Sequence, residues 1–188
     1  MTEHKWYHGT DSEQFNEWVI PPPVCRDNVI THNGVFFTTN KAAAKSYGSN
    51  ICQTRIINNS SFFDANSNEF EMEKLRLELL KTEMGAKCIY TESSSKWKIA
   101  WKQSLVFGFY LSSCASLNAK LYGEETNRTI LVKKQREWVE DICSILKKMG
   151  YGGLFIENRK RFGGKRLLKT YKVFVAFSLD VIEPPKWL

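Results

Sequence analysis

The sequence predicts one α+β domain, because short β-branched and aromatic segments alternate with helical patterns and enough apolar residues are present for a single core. About 43% of the 188 residues are hydrophobic and 13% are aromatic, which suits one core at this length. This composition excludes a disordered chain and a fibrous one. No repeat, low-complexity segment or linker divides the chain, so the predicted domain spans residues 1–188.

The first fifty residues predict two strands and a short helix. The run Lys5–His8 is a short strand that ends at Gly9, since glycine and the residues after it favour a turn. Residues 34–39 are rich in Val, Phe and Thr, which is typical of a strand. Asn40 then caps a helix over residues 41–47 through its side-chain oxygen.

Further along the chain, composition and periodicity predict two longer helices and three strands. The helices are expected over residues 69–84, ended by Gly85, and over residues 135–149, ended by Gly150; the strands are expected over residues 53–63, 154–156 and 171–177. Residues 104–113 fit a buried strand or a helix equally well, and periodicity does not decide between them.

The chain start and the cysteines predict a cytoplasmic protein. The first residues lack the basic region and apolar stretch of a secretory signal, and the charge-free run 103–119 is too short and polar to span a membrane. The cysteines are odd in number, scattered and never spaced as Cys-x-x-Cys, which indicates reduced thiols acting as small apolar side chains, without a metal site. They are Cys25, Cys52, Cys88, Cys114 and Cys143.

The net charge of +7 lies in two segments. Residues 159–170 hold six basic residues and no acidic one, and residues 96–102 hold three basic residues with two tryptophans. Without these nine, 18 basic residues stand against 20 acidic ones. Such localisation indicates an anionic partner, although two solvated surface loops would give the same pattern.

Two short motifs stand in sequence near the start of the chain. Tyr7–Thr10 reads Tyr-His-Gly-Thr, and Gly34–Thr38 reads Gly-Val-Phe-Phe-Thr. Tyr47 follows eleven positions after Phe36. Together with the late segments 150–158 and 174–184, these motifs resemble the ADP-ribosyltransferase superfamily of the diphtheria-toxin and poly(ADP-ribose) polymerase type, in particular small phage and bacterial members.

The resemblance covers both ends of the chain and leaves residues 64–148 without an assigned role. It implies a split β-sandwich with flanking helices, and NAD held as co-substrate with its nicotinamide in a cleft between two sheets. His8 would hydrogen-bond the adenosine ribose, Gly9 would leave room for the nicotinamide amide, and Tyr47 would stack on the nicotinamide ring. The NAD-binding residues so implied are Tyr7, His8, Gly9, Thr10, Gly34, Phe36 and Tyr47. Arg26 is added as a donor to the phosphates.

Two positions depart from the family pattern. Phe36 stands where the family has its first tyrosine, so a hydroxyl is missing and the aromatic wall is kept. The catalytic glutamate of the family aligns with Val173 or, in another register, with Thr170, and neither is a carboxylate. An active enzyme would then draw its carboxylate from elsewhere, with Glu157 the first candidate and substrate assistance the second; Glu157 is equally explained as a surface residue that pairs with nearby Arg and Lys. The predicted catalytic residues are thus His8, Tyr47 and Glu157.

In this superfamily the loop before the closing strand faces the second substrate, and here that loop is the basic run 159–170. Arg and Lys hold phosphates, while an aromatic side chain can stack on an exposed base. The residues predicted to contact the target are Arg159, Lys160, Arg161, Phe162, Lys165, Arg166, Trp97 and Trp101. RNA or single-stranded DNA is the favoured target, and an acidic protein surface is the alternative.

The resemblance therefore implies an NAD-dependent mono-ADP-ribosyltransferase, of the kind found as intracellular toxins or effectors restrained by an antitoxin protein. An RNA 2′-phosphotransferase has a related fold but expects further His and Arg motifs that this sequence does not display. The non-enzyme reading is a degenerate module that binds NAD or nucleic acid without turnover, and the missing glutamate is its main support.

Overall fold

The structure, a computed structural model, has a mixed seven-stranded sheet packed against helices. It describes residues 5–20, 34–57, 62–64, 69–88, 91–102, 128–161 and 168–188. The strands are β1 (Trp6–Thr10), β2 (Val35–Thr38), β3 (Asn50–Thr54), β4 (Phe62–Asp64), β5 (Gly153–Arg161), β6 (Leu168–Ala176) and β7 (Lys186–Trp187). Their order is β4-β5-β6-β2-β1-β3-β7. Only β4 and β5 pair in parallel, and the other neighbours are antiparallel.

The described helices are α1 (Lys41–Lys45), α2 (Glu69–Leu79), α3 (Glu83–Lys87), α4 (Ser94–Lys102) and α5 (Arg128–Lys148), with a 3₁₀ turn at Leu179–Val181. The α+β class is therefore confirmed. In the described part of the chain, no helix combines the length and the apolar character needed to cross a membrane.

The start of α1 follows the sequence prediction. The Asn40 side chain accepts a hydrogen bond from the Ala43 N–H at 3.1 Å, which satisfies one of the amide donors that a helix leaves open at its first turn. The helix itself ends at Lys45, two residues earlier than expected, and the chain turns through Ser46 and Tyr47 into β3.

The helix predicted over residues 69–84 is two helices. The first, α2, ends at Leu79, and Thr82 caps α3 by accepting the Gly85 N–H at 3.0 Å. Gly85 therefore lies inside α3 and does not terminate α2. Its hydrogen in place of a side chain is required, because a Cβ there would lie 1.7 Å from the Leu79 carbonyl oxygen.

The long helix α5 begins seven residues before its predicted start at residue 135 and ends at Lys148. Gly150 follows with φ of +92°, a conformation that glycine adopts without strain and that commonly ends a helix. Trp138, Ile142 and Leu146 are fully buried, as the helical periodicity predicted.

The sheet separates two apolar clusters. On one face α2, α4 and α5 cover the sheet, and their side chains pack with those of alternate strand residues such as Leu154, Val173 and Val175. On the other face the strand residues Phe37 and Phe174 pack with Trp18 and with the segment around Val181. Alternation of side chains across strands sends neighbouring residues to different clusters.

The strand predicted over residues 53–63 is also divided: β3 ends at Thr54 and β4 begins at Phe62. The late strands β5 and β6, in contrast, are longer than predicted and form an antiparallel pair in which Gly153 faces Ala176 and Arg161 faces Leu168. Residues 159–161 and 168–170 of the expected loop 159–170 are therefore strand, and residues 162–167 lie outside the described residues. Residues 104–113, left open by periodicity, lie outside the described residues.

Candidate active site

The strand that carries the Tyr-His-Gly-Thr motif is firmly paired on one side and open on the other. β1 and β3 are in register over five residue pairs, from Trp6 with Thr54 to Thr10 with Asn50. Between β1 and β2, a single pair is formed, Tyr7 with Thr38. The two strands therefore separate immediately after this pair, at His8.

Where β1 and β2 separate, the His8 side chain forms a hydrogen bond with a backbone carbonyl of β2. Its Nδ1 donates a hydrogen bond to the Phe36 carbonyl oxygen at 2.8 Å; a carbonyl only accepts, so the proton is on Nδ1. Burial lowers the pKa of His8 below its ordinary value, against the smaller, opposite effect of this hydrogen bond. The neutral ring therefore has an unprotonated Nε2, which can accept a hydrogen bond from a hydroxyl.

Aromatic side chains hold the His8 ring in place. Trp18 meets it edge-on with ring centroids 5.4 Å apart, and Phe37 lies 5.8 Å away. The Trp18 indole N–H donates to the Glu183 carbonyl oxygen at 2.8 Å, which fixes the indole against the sheet. Trp18 was missed by sequence reasoning, because no spacing rule links a tryptophan ten residues downstream to a motif histidine.

The pKa of His8 gives a prediction about stability. Above about pH 6.5 the ring is neutral in both folded and unfolded chains; below it the unfolded chain takes up the proton first. We therefore expect the free energy of unfolding of the wild type to fall between pH 7.5 and pH 5.5, by at most about 1.4 kcal/mol per pH unit from this residue. Urea unfolding of His8→Gln, measured beside the wild type, should show a smaller decrease. Parallel pH profiles for the two proteins would contradict the assignment.

The helix α1 packs directly on β1 at Gly9. A Cβ on Gly9 would lie 1.9 Å from the Ala44 carbonyl oxygen, and a Cβ on Gly48 would lie 2.1 Å from the carbonyl carbon of Thr10. The resemblance explains Gly9 by room for nicotinamide, whereas the structure gives a different reason: the backbone of α1 already occupies the space where a side chain would lie.

Tyr47 follows α1 and is 60% exposed, so much of its side chain remains accessible to a ligand. Because Gly9 faces α1, the adjacent His8 faces the other side of the sheet, where it meets Trp18 and Phe37. The helix that precedes Tyr47 and the ring of His8 therefore lie on different faces of β1.

Strand β6, which is the closing strand of the resemblance, lies beside β2. Val35, Phe36, Phe37 and Thr38 pair with Ala176, Val175, Phe174 and Val173 respectively. The approach is close at Gly34, where a Cβ would lie 2.8 Å from a methyl of Val175. Val173 is 7% exposed and packs in the core under the helices, so the family's glutamate position holds a buried aliphatic side chain.

Glu157 lies away from His8. It is on β5 opposite Lys172, and β6 and β2 both stand between β5 and β1. Three strand spacings separate the backbones of His8 and Glu157 by about 14 Å. The side chain of Glu157 is outside what the structure describes, so its role as the missing carboxylate stays a prediction. Thr170 faces Arg159, still further along the strand pair.

The second basic segment, residues 96–102, is most of helix α4 and is not a solvated loop. Lys96 pairs with Glu92, and Lys98 pairs with Glu69 at 3.0 Å. Trp97 is completely buried, and its indole N–H donates to the Met72 carbonyl oxygen at 3.2 Å. The prediction that Trp97 contacts a target is therefore wrong, and the two described ion pairs reduce the charge excess of this segment.

The described parts of the first basic segment, residues 159–161 and 168–170, lie opposite each other on the antiparallel hairpin of β5 and β6. β5 pairs with β4 only up to Phe155, and β6 pairs with β2 only from Val173 onward, with Lys172 accepting one hydrogen bond from the Thr39 N–H. Within the described residues, β5 beyond Phe155 therefore pairs with β6 alone, over about 20 Å of strand. Arg159, Lys160 and Arg161 are on this arm.

Four other predicted residues, Arg26, Phe162, Lys165 and Arg166, lie outside the described residues, and the side chain of Trp101 is not described. The side chains of Cys52, Cys88 and Cys143 are buried. Among the side chains that the structure describes, no three His, Cys, Asp or Glu groups are arranged to hold a metal ion.

No family model matches the chain, and no curated protein matches it. A solved structure, the crystal structure of an anti-CRISPR protein, is similar over 96% of this chain and 93% of its own, with 13% sequence identity and a TM-score of 0.43.

Proposed function

We propose that this protein is an NAD-dependent mono-ADP-ribosyltransferase with the split β-sandwich of that superfamily. The observation that carries the proposal is the adjacency of three motif segments that are far apart in sequence. Tyr7–Thr10 on β1, Gly34–Thr38 at β2 and the closing strand β6 are consecutive neighbours in the sheet. The separation of β1 from β2 at His8 supports a cleft at the same place.

The chemistry follows from what these residues offer. The Nε2 of His8 accepts a hydrogen bond from a ribose hydroxyl, and Tyr47 provides an aromatic face for nicotinamide. The bond between ribose C1′ and the nicotinamide nitrogen breaks, and its electron pair leaves with neutral nicotinamide. The acceptor then bonds to C1′ of the oxocarbenium-like ribose and loses its proton. With Val173 at the glutamate position, positioning supplies most of the catalysis, and the proton passes to the substrate itself or to water.

The favoured acceptor is RNA or single-stranded DNA. The hairpin arm carries Arg159, Lys160 and Arg161 on β5 and Lys169 on β6, with Lys160 directly opposite Lys169. Four cations on one arm suit a phosphate backbone, and an acidic protein surface is the less favoured acceptor. We place the activity in the cytoplasm, where an intracellular toxin or effector of this kind would be restrained by an antitoxin.

The test uses NAD labelled on its adenosine moiety, incubated with the protein and separately with RNA, single-stranded DNA and cell protein. We expect label to enter the RNA or single-stranded DNA fraction and free nicotinamide to appear in equal amount. Transfer that persists unchanged in both His8→Ala and Tyr47→Ala would overturn the site.

A degenerate module that binds NAD or nucleic acid without turnover is the second candidate, and the buried Val173 favours it. The same incubation separates the two. NAD binding measured by calorimetry without release of nicotinamide, in the presence of every acceptor, would select the module over the enzyme.

The positive charge of the hairpin arm leads to a separate prediction. The triple substitution of Arg159, Lys160 and Arg161 by Gln should weaken target modification about tenfold or more at low salt and leave NAD affinity unchanged, because phosphate contacts carry much of the affinity for nucleic acid. The matched control removes three charges elsewhere, at Lys74, Lys81 and Lys186, each of which pairs with an acidic neighbour. Equal loss in both variants, or equal loss of NAD and target binding, would refute this division of roles.

A further inference from the structure

A small concavity lies between α1, the start of β3 and the end of β7. Its volume is about 220 Å³, and the residues that matter in its lining are Gln14, Lys41, Lys45, Ser49, Asn50 and Trp187. None of these residues belongs to the sites predicted from the sequence. Ligand binding in this concavity is therefore independent of the proposed function.

The charge of this concavity is unbalanced. Lys41 and Lys45 are exposed and lie four residues apart on α1, where like charges repel. Neither forms an ion pair with a described residue, whereas five other described lysines do. Asp11, which is not part of the lining, accepts hydrogen bonds from the Ser49 N–H at 2.9 Å and from the Ser49 hydroxyl at 3.3 Å.

The remaining lining adds amide groups and a ring. Asn50 uses its side-chain N–H to hold the Ser12 carbonyl oxygen at 2.9 Å, which fixes the amide at the rim. The Trp187 indole N–H donates to the Phe15 carbonyl oxygen at 2.9 Å and is T-shaped to the Phe15 ring. Its polar atom is thus already used, so Trp187 offers the pocket only apolar ring surface.

We propose that this concavity binds a phosphate monoester, with the phosphate between Lys41 and Lys45 and a planar group against Trp187. A phosphate dianion relieves the repulsion between the two lysines and accepts several hydrogen bonds from their ammonium groups. The volume is below that of ordinary pockets for drug-sized ligands, which favours a compact ligand of mononucleotide size.

The probes are inorganic phosphate, adenosine 5′-monophosphate and adenosine, each titrated at constant ionic strength with calorimetry and thermal unfolding as readouts. We expect the nucleotide to bind most tightly, phosphate more weakly, and adenosine not at all. Adenosine binding equal to that of the nucleotide, or no binding of either anion up to about 10 mM, would overturn the proposal.

The variants separate the pocket from general surface charge. The double variant Lys41→Gln/Lys45→Gln should weaken nucleotide binding about a hundredfold, since each charged hydrogen bond contributes about tenfold. The control, Lys147→Gln/Lys148→Gln, removes the same charge from the exposed end of α5 and should leave nucleotide binding unchanged. Lys45→Arg keeps the charge, so its affinity for the nucleotide should be within a few fold of the wild-type affinity. This variant tests the site even if the double variant folds poorly. Retained binding in the double variant would refute the site, as would equal losses in both double variants. Nicotinamide release from NAD should be the same in Lys41→Gln/Lys45→Gln as in the wild type, so failure of NAD turnover and failure of this pocket are distinguishable.

Discussion

Replacing Gly9 by alanine is expected to destabilise the protein by about 3 kcal/mol or more, because an overpacked backbone contact cannot be relieved by a rotamer change. The added Cβ would lie 1.9 Å from the Ala44 carbonyl oxygen and 2.7 Å from its carbonyl carbon. Both atoms belong to the backbone of α1, so β1 and α1 would have to move apart. Urea unfolding followed by circular dichroism measures the loss.

The control for this substitution is Gly150→Ala. Gly150 has φ of +92° but nothing within 4 Å of the added Cβ, so only conformational strain of about 1 kcal/mol is expected. The family resemblance makes the opposite prediction for Gly9, namely a stable protein that has lost NAD binding. A Gly9→Ala protein of wild-type stability would therefore show that the packing explanation is wrong.

The sequence predicted helix boundaries correctly where the boundary depends only on residues next to it in the chain. Asn40 and Gly150 were predicted as helix boundaries because each acts through its own backbone or cap geometry. The break after Leu79 was missed, because the residues up to Met84 are good helix formers and the cap at Thr82 outweighs that propensity. The length of β5 and β6 was missed as well, since charged residues suggest loops and only pairing with the partner strand reveals the hairpin.

The sequence motif could identify residues of the candidate site, but it could not predict which side chains and backbone groups contact them. The motif indicated His8, yet its contact with Trp18 and its hydrogen bond to the Phe36 carbonyl depend on how β1 and β2 separate. Trp97 shows the converse error: a tryptophan between lysines suggests a stacking surface, but helical geometry turns it into the core while Lys96 and Lys98 remain outside. The distance of Glu157 from His8 required the strand order, which no local pattern encodes.

Replacing Tyr47 by alanine is expected to reduce nicotinamide release from NAD by about tenfold to a hundredfold, because stacking of an aromatic side chain on a planar base contributes about 1–3 kcal/mol. The free energy of unfolding should change by about 1 kcal/mol or less, since the side chain is 60% exposed. Tyr47 is therefore a cleaner probe of the site than His8, whose removal also opens an aromatic cluster.

Two further variants make the Tyr47 result specific. Tyr47→Phe keeps the ring and should retain most of the turnover, because the proposed contact uses the aromatic face and not the hydroxyl. Phe70→Ala removes a ring that is 77% exposed on α2 and is not among the predicted site residues, and it should leave turnover unchanged. If Tyr47→Ala and Phe70→Ala behave alike, nicotinamide does not stack on Tyr47. If Tyr47→Phe is as inactive as Tyr47→Ala, the residue acts through its hydroxyl and the proposed stacking is wrong.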